Sequence, residues 1–273
     1  MKFLSSAATV CILVSQAVQA TTSDAMDPSN VGLAATFVSI PAGEFVMGSP
    51  ENEDGRDFEE IQHKVTLTQG FDLQVTHVTQ YQYMLVTAQN PSFFTTAATC
   101  PGEHRVVSGV EMCPNHPVER VSWEDAQAFV AALNNSSSQY VYRLPTSAEW
   151  EYAVRAGSLT AYFFGTDGEV SDDYAWFSAN AGDQTHGFAL KKIHPYGMYD
   201  MIGNVWQWMS DWVGPYTSDT QTDPQGPTSG SQRVLRGGAW YNSQQNLRSA
   251  KTYGMLPSYR DNGIGFRLIR RAK

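Results

Sequence analysis

The last third of the chain holds three glycine- and aromatic-rich blocks whose order and spacing constrain the fold more than any other feature. They are Tyr-Asp-Met-Ile-Gly-Asn-Val-Trp-Gln-Trp at 199–208, Arg-Val-Leu-Arg-Gly-Gly-Ala-Trp at 233–240 and Gly-Ile-Gly-Phe-Arg at 263–267. From residue 158 onward, long periodic segments are rare. Glycine and proline interrupt regular elements, so we expect short strands and long loops pinned by aromatic packing.

Upstream of residue 158 the pattern is more regular. Alternating apolar residues predict strands over 37–40, 44–48, 63–68 and 71–78. Thr79, Ser122 and Thr146 are predicted helix caps, and Thr146 with Glu149 forms a capping box. The acidic run over 51–60 is expected to be a solvated loop, with a cation site as the alternative.

Three further motifs precede the C-terminal blocks: Pro-Ala-Gly-Glu-Phe-Val-Met-Gly at 41–48, His-Pro-Val-Glu-Arg-Val-Ser-Trp at 116–123 and Arg-Leu-Pro-Thr at 143–146 with Glu-Trp-Glu-Tyr-Ala at 149–153. As an ordered set, the six resemble the formylglycine-generating-enzyme (sulfatase-modifying factor) family over about residues 36–270. The resemblance implies an α+β fold with little regular secondary structure, distantly like a C-type lectin. We expect one domain over residues 36–273.

The resemblance also identifies the residues that stand where the family binds copper. In formylglycine-generating enzymes, two cysteines a few residues past the Gly-Gly step bind copper. By position they fall on Asn242 and Leu247, and the small hydroxyl residue of that site falls on Ala239. Cu(I) prefers thiolate ligands. No copper and no conversion of cysteine to formylglycine are therefore expected.

The segment over 240–248 occupies the family's active-site position and is rich in aromatic and amide side chains. Such side chains bind polar ligands by stacking and hydrogen bonding. Trp240, Tyr241, Asn242 and Arg248 are the candidate ligand-binding residues, with Arg248 as the cation. The alternative is an ordinary polar loop.

The block at 199–208 carries the family's calcium loop. The resemblance implies a side-chain ligand at Asp200, backbone carbonyls at Gly203 and Val205, and a side chain at Gln207. Amide and backbone oxygens are acceptable calcium ligands, but Gln207 replaces a carboxylate and removes a charge. A structural calcium ion is one interpretation, and a plain Gly-Asn turn is the other.

The N-terminus predicts export. Lys2, an apolar run over 3–14 and the small-residue site Val18-Gln19-Ala20 are typical of a signal peptide over residues 1–20. Residues 21–35 are small and polar and predict a flexible tether. The expected location is periplasmic or secreted, and no later stretch has the roughly 18 apolar residues of a membrane span.

Two cysteines remain after the predicted cleavage, Cys100 and Cys113. An even count in an oxidising compartment favours a disulfide, with a redox pair or metal site as the alternative. The formal charge of −9 argues against nucleic acid as a partner, because nucleic-acid binding needs a basic surface.

Two functions fit these features. The first is a periplasmic tailoring oxidoreductase of the pyoverdine-maturation type, a branch of the family that also lacks the cysteine pair. A third branch, the ergothioneine-type sulfoxide synthases, adds an N-terminal helical domain for which this chain has no room. The alternative function is a non-catalytic binding protein. Its partner in the cleft would be a small molecule, a peptide, a glycan or another protein, including in an inhibitor or immunity role.

Overall fold

A computed structural model of the protein describes residues 37–166 and 171–273. The predicted signal peptide and tether lie outside these residues. The strands are β1 (Phe37–Ile40), β2 (Gly43–Met47), β3 (His63–Leu67), β4 (Phe71–Gln74), β5 (Arg105–Val107), β6 (Val110–Met112), β7 (Tyr140–Arg143), β8 (Trp206–Trp212), β9 (Gln221–Thr222), β10 (Arg233–Arg236), β11 (Thr252–Met255), β12 (Ile264–Gly265) and β13 (Ile269–Ala272). The helices are α1 (Gln80–Thr87), α2 (Trp123–Ser136), α3 (Ser147–Arg155) and α4 (Ser171–Tyr174), with a 3₁₀ turn at Gln244–Leu247.

The strands form small sheets. One has the order β1-β4-β13-β7, the second β11-β10-β8-β12 and the third β2-β3-β9, while β5 and β6 form a hairpin. Most neighbours are antiparallel, but β12 pairs with β8 and β9 with β3 in parallel. Of the described residues, 17% are helical and 24% lie in strands, so the predicted α+β class with little regular secondary structure is confirmed.

All three predicted helix caps are present as capping boxes. The hydroxyls of Thr79, Ser122 and Thr146 each accept the backbone N–H three residues on, and the side chain at that third position accepts the cap's own N–H. This reciprocal bonding satisfies backbone donors that a helix start leaves unpaired. The α3 cap also positions Ser147 at the edge of a cavity described below.

Strand β4 is shorter than predicted. It ends at Gln74 because the backbone that follows leaves the ladder. Tyr199 N–H donates to Val75 O, Val118 N–H donates to Val78 O, and Val78 N–H donates to Phe266 O, each at 2.9 Å. Residues 75–78 are therefore held by three separate segments of the chain rather than by one neighbouring strand.

Two hydrophobic cores lie on opposite faces of the second sheet. Successive side chains of a strand alternate between faces, so Val234 joins the core around Trp150 while Leu235 joins the core around Trp208. The first core packs α3 against β2, β3 and β4, and the second packs α1 and α2 against β8 and β12.

The predicted disulfide is confirmed, since Cys100 and Cys113 are bonded with their Cα atoms 5.8 Å apart. It closes the loop that carries the β5–β6 hairpin. Within residues 37–166 and 171–273, no helix has the length and apolar character needed to cross a membrane.

Candidate functional site

The segment after the Gly237-Gly238 step is held in place by the side chain and the backbone carbonyl of Asn242. The Oδ1 atom of Asn242 accepts the N–H of Ala239 at 2.9 Å, and the carbonyl of Asn242 accepts the N–H of Ser178 at 2.9 Å. Leu247 is fully buried in the first core. The two positions that correspond to copper ligands thus hold a turn-capping amide and a core aliphatic side chain. Neither fits copper.

The cation expected in this cleft, Arg248, is already paired. Its guanidinium makes a bidentate contact with Glu60 at 2.7 and 2.8 Å and a further contact with Glu53 at 2.7 Å. The residue is 1% exposed. Removing one partner of a buried ion pair is strongly destabilising, so these contacts give Arg248 a structural role.

The acidic run over 51–60 accounts for this difference. Glu53 and Glu60 pair with Arg248, and Asp57 pairs with Lys251. The expected solvated loop is therefore wrong for the buried Glu53 and Glu60, but Asp57 keeps 46% of its side chain exposed although all three carboxylates are paired. They fasten the loop to the segment that follows the Gly-Gly step, at a sequence separation of 188 residues for Glu60 and Arg248.

The two aromatic candidates form a small cluster at the surface. Trp240 is half-buried, donates from Nε1 to the carbonyl of Asn262 at 3.1 Å, and packs edge-on against Phe94 and Tyr241. Tyr241 is 40% exposed. Its hydroxyl donates to Asp261 Oδ1 at 2.9 Å. Ligand binding by Trp240, Tyr241, Asn242 or Arg248 stays a prediction.

A buried acid that the sequence analysis missed lies behind this cluster. Glu119 is fully buried, and its Oε1 accepts the N–H groups of Phe93 at 2.6 Å and Phe94 at 2.9 Å. Its Oε2 has no hydrogen-bond partner in the described part of the chain. Burial raises the pKa of Glu119 to about 8. No sequence signal marks Glu119, because its burial depends on a loop 25 residues away.

The predicted calcium loop is built around a buried guanidinium. Arg267 donates to the carbonyls of Tyr199 and Asp200 at 3.0 and 2.9 Å, and to Gln207 Oε1 at 2.7 Å. Burial lowers the pKa of Arg267 to about 9, which leaves the group charged at neutral pH. Gly203, with φ at +75°, is required in the turn, since a Cβ there would lie 2.5 Å from the carbonyl oxygen of Trp176.

The predicted ligands fit calcium unequally. Asp200 is 3% exposed, and its Oδ1 has no hydrogen-bond partner among the described residues, which suits a cation ligand. Burial raises the pKa of Asp200 to about 6. Gln207 fits poorly, because its Oε1 already accepts from Trp150 and Arg267, while its Nε2 donates to Met201 O at 2.8 Å. Gly203 O accepts the N–H of Val205 at 2.8 Å.

A larger cavity lies beside the start of α3, on a surface that the sequence did not single out. Its volume is about 820 Å³, within the range of small-molecule sites. The walls come from β11, the end of β8 and the segment over 213–234, and none of residues 239–248 lines it. We call this cavity the α3 pocket.

The floor of the α3 pocket is polar and preorganised. Asp211 is 5% exposed, and its Oδ2 accepts the N–H of Ser147 at 2.9 Å and the hydroxyl of Ser210 at 3.2 Å. Burial raises the pKa of Asp211 to about 6. The Tyr216 hydroxyl accepts from Arg236 at 2.9 Å, and Arg236 is also paired with a buried glutamate.

One histidine belongs to this floor. His63 is 4% exposed, lies edge-on to Tyr216 and has its Nδ1 2.9 Å from the carbonyl of Ile61. That contact fits an N–H donor at Nδ1 and leaves Nε2 as the acceptor. The usable sequence signal for the pocket was the single aspartate of the tryptophan-rich strand β8, but its partner Ser147 lies 64 residues away.

Comparison with known proteins gives a consistent picture. Residues 22–272 match the Sulfatase-modifying factor enzyme 1-like domain. The chain is 30% identical to the formylglycine-generating enzyme of Streptomyces coelicolor, with 84% of this chain and 87% of that protein aligned. Several other curated relatives are longer proteins, of which the chain spans less than half.

Two solved structures are also similar. Treponema denticola variable protein 1 superposes with a TM-score of 0.74 at 28% identity, covering 85% of this chain and 94% of that one. PvdO from Pseudomonas aeruginosa superposes with a TM-score of 0.69 at 25% identity, covering 86% and 94%.

Proposed function

Since the chain belongs to the sulfatase-modifying factor enzyme 1-like family, we propose that it is an exported binding protein built on that family's fold. It acts by holding a ligand in the α3 pocket and does not generate formylglycine with copper. The calcium loop, where occupied, has a structural role through Asp200.

The surface formed by residues 239–248, which we call the inherited cleft, has a composition that supports a role other than copper chemistry. Asn242 and Leu247 carry no thiol, and a soft copper ion is not held by an amide and an aliphatic chain. Both side chains also have structural tasks, one capping the turn at Ala239 and the other filling the core. Arg248 has its charge neutralised by two glutamates.

The α3 pocket is the observation that carries the proposal. A cavity of about 820 Å³ with a buried carboxyl, a tyrosine hydroxyl and a histidine at its floor has the character of a specific site, because ligand sites combine apolar walls with a few placed polar groups. The floor groups are held by hydrogen bonds from α3 and from the buried Arg236, so they need no rearrangement to meet a ligand.

A crystallographic fragment screen of the protein from residue 36 tests this proposal. We expect bound fragments to collect in the α3 pocket, in contact with Asp211 or Tyr216. A parallel incubation with copper, oxygen and a sulfatase-type cysteine peptide should leave the cysteine unconverted by mass spectrometry. Fragments confined to residues 240–248, or formylglycine in the peptide, would contradict the proposal.

A tailoring oxidoreductase of the pyoverdine-maturation type is the second candidate, favoured by the similarity to PvdO and by Glu119. A buried carboxyl with a raised pKa is typical of catalytic acids and bases, and Glu119 touches Phe94, which packs on Trp240. Turnover of a siderophore chromophore precursor by the purified protein, lost in Glu119→Gln, would favour this candidate over the binding role.

A further inference from the structure

We propose that the α3 pocket binds an organic cation, meaning a primary ammonium or a guanidinium group. The inference rests on the proposed binding function and names the chemistry of its ligand. It follows from three features of the pocket: its unbalanced charge, the geometry of its buried carboxylate, and the aromatic rings at its rim.

The charged residues that line the pocket are mostly acidic. They comprise three carboxylates, on Asp57, Glu59 and Asp211, and one cation, Lys251. Lys251 is already paired with Asp57. Within residues 37–166 and 171–273, neither Glu59 nor Asp211 has an ion-pair partner within 4.0 Å. The pocket therefore presents two unpaired negative groups to whatever enters it.

The carboxyl of Asp211 is held with one oxygen available. Its Oδ2 is fixed by Ser147 and Ser210, while Oδ1 accepts no hydrogen bond from the described residues. Gly226, with φ at +69°, passes beside Oδ1, and a Cβ there would come within 3.2 Å of it. Glycine keeps the approach to this oxygen open. Because the pKa of Asp211 is about 6, the group is mainly ionised at neutral pH.

Aromatic rings stand at the rim of the pocket. Phe58 is 81% exposed and Tyr253 is 49% exposed, and both line the cavity. Large aromatic side chains left in solvent beside unpaired carboxylates provide faces to which an ammonium or guanidinium group is attracted.

The protein already binds its own guanidinium groups in this way. Arg233 lies between Trp123 and Trp212, with its Cζ 3.8 and 3.4 Å from the ring centres. Arg233 occupies the Trp212 ring, so an incoming cation would use Phe58 and Tyr253. Anionic ligands are disfavoured by the two unpaired carboxylates. Arg236 and Arg233 act on the Asp211 charge from a distance, but neither pairs with it, so a neutral ligand would gain less from this carboxylate than a cation would.

Isothermal titration with N-acetyl-L-arginine amide and N-acetyl-L-citrulline amide, called arginine amide and citrulline amide below, tests the inference. Acetylation removes the α-ammonium group, so the two probes share a shape and differ only in the charge of the side chain. A charged hydrogen bond is stronger than a neutral one, so arginine amide should bind at least about tenfold more tightly than citrulline amide. The peptide N-acetyl-Gly-Arg-Gly-amide is the third probe. Tighter binding of this peptide than of arginine amide would identify a basic side chain of a peptide as the occupant, and weaker binding would identify a free small molecule.

Three variants locate the binding. Asp211→Asn keeps an oxygen for Ser147 and should weaken arginine amide about tenfold or more, in line with the loss of a charged partner. Glu59→Gln and Tyr253→Ala alter exposed rim residues, leave the core intact and should each weaken binding severalfold. Glu111→Gln, an exposed acid on the β5–β6 hairpin, is the matched control and should bind like wild type.

Equal affinities for arginine amide and citrulline amide would overturn the cation assignment, as would unchanged binding in both rim variants. In that event, neutral fragments seen in the α3 pocket would still support the proposed binding function. Absence of both fragments and cation from the pocket would instead overturn the proposed function itself.

Discussion

Replacing Arg248 with methionine distinguishes two roles for this residue, framework cation or ligand contact. Methionine keeps the unbranched apolar stem of the side chain but removes the guanidinium, whose charge meets Glu53 and Glu60 in three contacts of 2.7–2.8 Å. Both carboxylates are then left without their cation, and Glu60 is only 1% exposed.

The magnitude follows from that burial. Removing one partner of a buried ion pair costs about 3–5 kcal/mol, and Ser49, which donates to Glu60 Oε2 at 2.6 Å, offsets little of it. For a domain of this size each kcal/mol shifts the melting temperature by roughly 2–4 °C. Arg248→Met should therefore melt about 10 °C below wild type.

Chemical denaturation of a double variant provides the control. In Arg248→Met with Glu60→Gln, one orphaned charge is removed, and we expect a recovery of about 1 kcal/mol or more relative to the single variant. Arg271→Met is the matched surface control, since Arg271 is exposed and donates to the exposed Gln69. If Arg248→Met melts like wild type and loses ligand binding, Arg248 is a ligand contact and the framework interpretation is wrong.

Three further predictions concern other sites. A chelator should lower the melting temperature of the wild type, and lower it further in Gln207→Glu. The new carboxylate would face Met201 O, where the amide now donates an N–H, so the two oxygens need a cation between them. Matching curves with and without chelator in both proteins would favour the plain turn. Arginine amide should bind about tenfold more weakly at pH 5 than at pH 7.5. The pKa of Asp211 is raised to about 6, so its carboxylate becomes protonated and loses its charge as pH falls. If the pH dependence persists in Asp211→Asn, another group causes it. Protein produced from residue 21 should show no thiol when denatured without reductant, since Cys100 and Cys113 are bonded; two reactive thiols would contradict the disulfide.

The parts of the fold that the sequence predicted are those fixed by local or positional rules. The caps at Thr79, Ser122 and Thr146 depend on residues three positions apart. The ordered glycine–aromatic blocks identified the family and with it the α+β fold. The early end of β4 was missed because the contacts that replace its ladder come from residues 118, 199 and 266.

The site was harder to predict because its contacts are long-range. The sequence placed Arg248 in the cleft, but its pairing with Glu60 joins residues 188 positions apart. Gln207 was predicted to be a calcium ligand, yet its side-chain oxygen already accepts hydrogen bonds from Trp150 and Arg267. The α3 pocket combines residues from β3, α3, β8 and β11, and no short motif reports that combination.

Matched blocking substitutions test most directly whether the ligand binds in the α3 pocket or in the inherited cleft. Gln225→Trp places an indole at the exposed rim of the pocket, and Ser243→Trp places one on the exposed surface of the 240–248 segment. The affinity of both proteins for the tightest-binding fragment of the crystallographic screen is then measured by titration calorimetry. We predict that Gln225→Trp loses at least about tenfold in affinity, or 1.4 kcal/mol, while Ser243→Trp binds like wild type. The reverse pattern would contradict the account and return the function to the cleft.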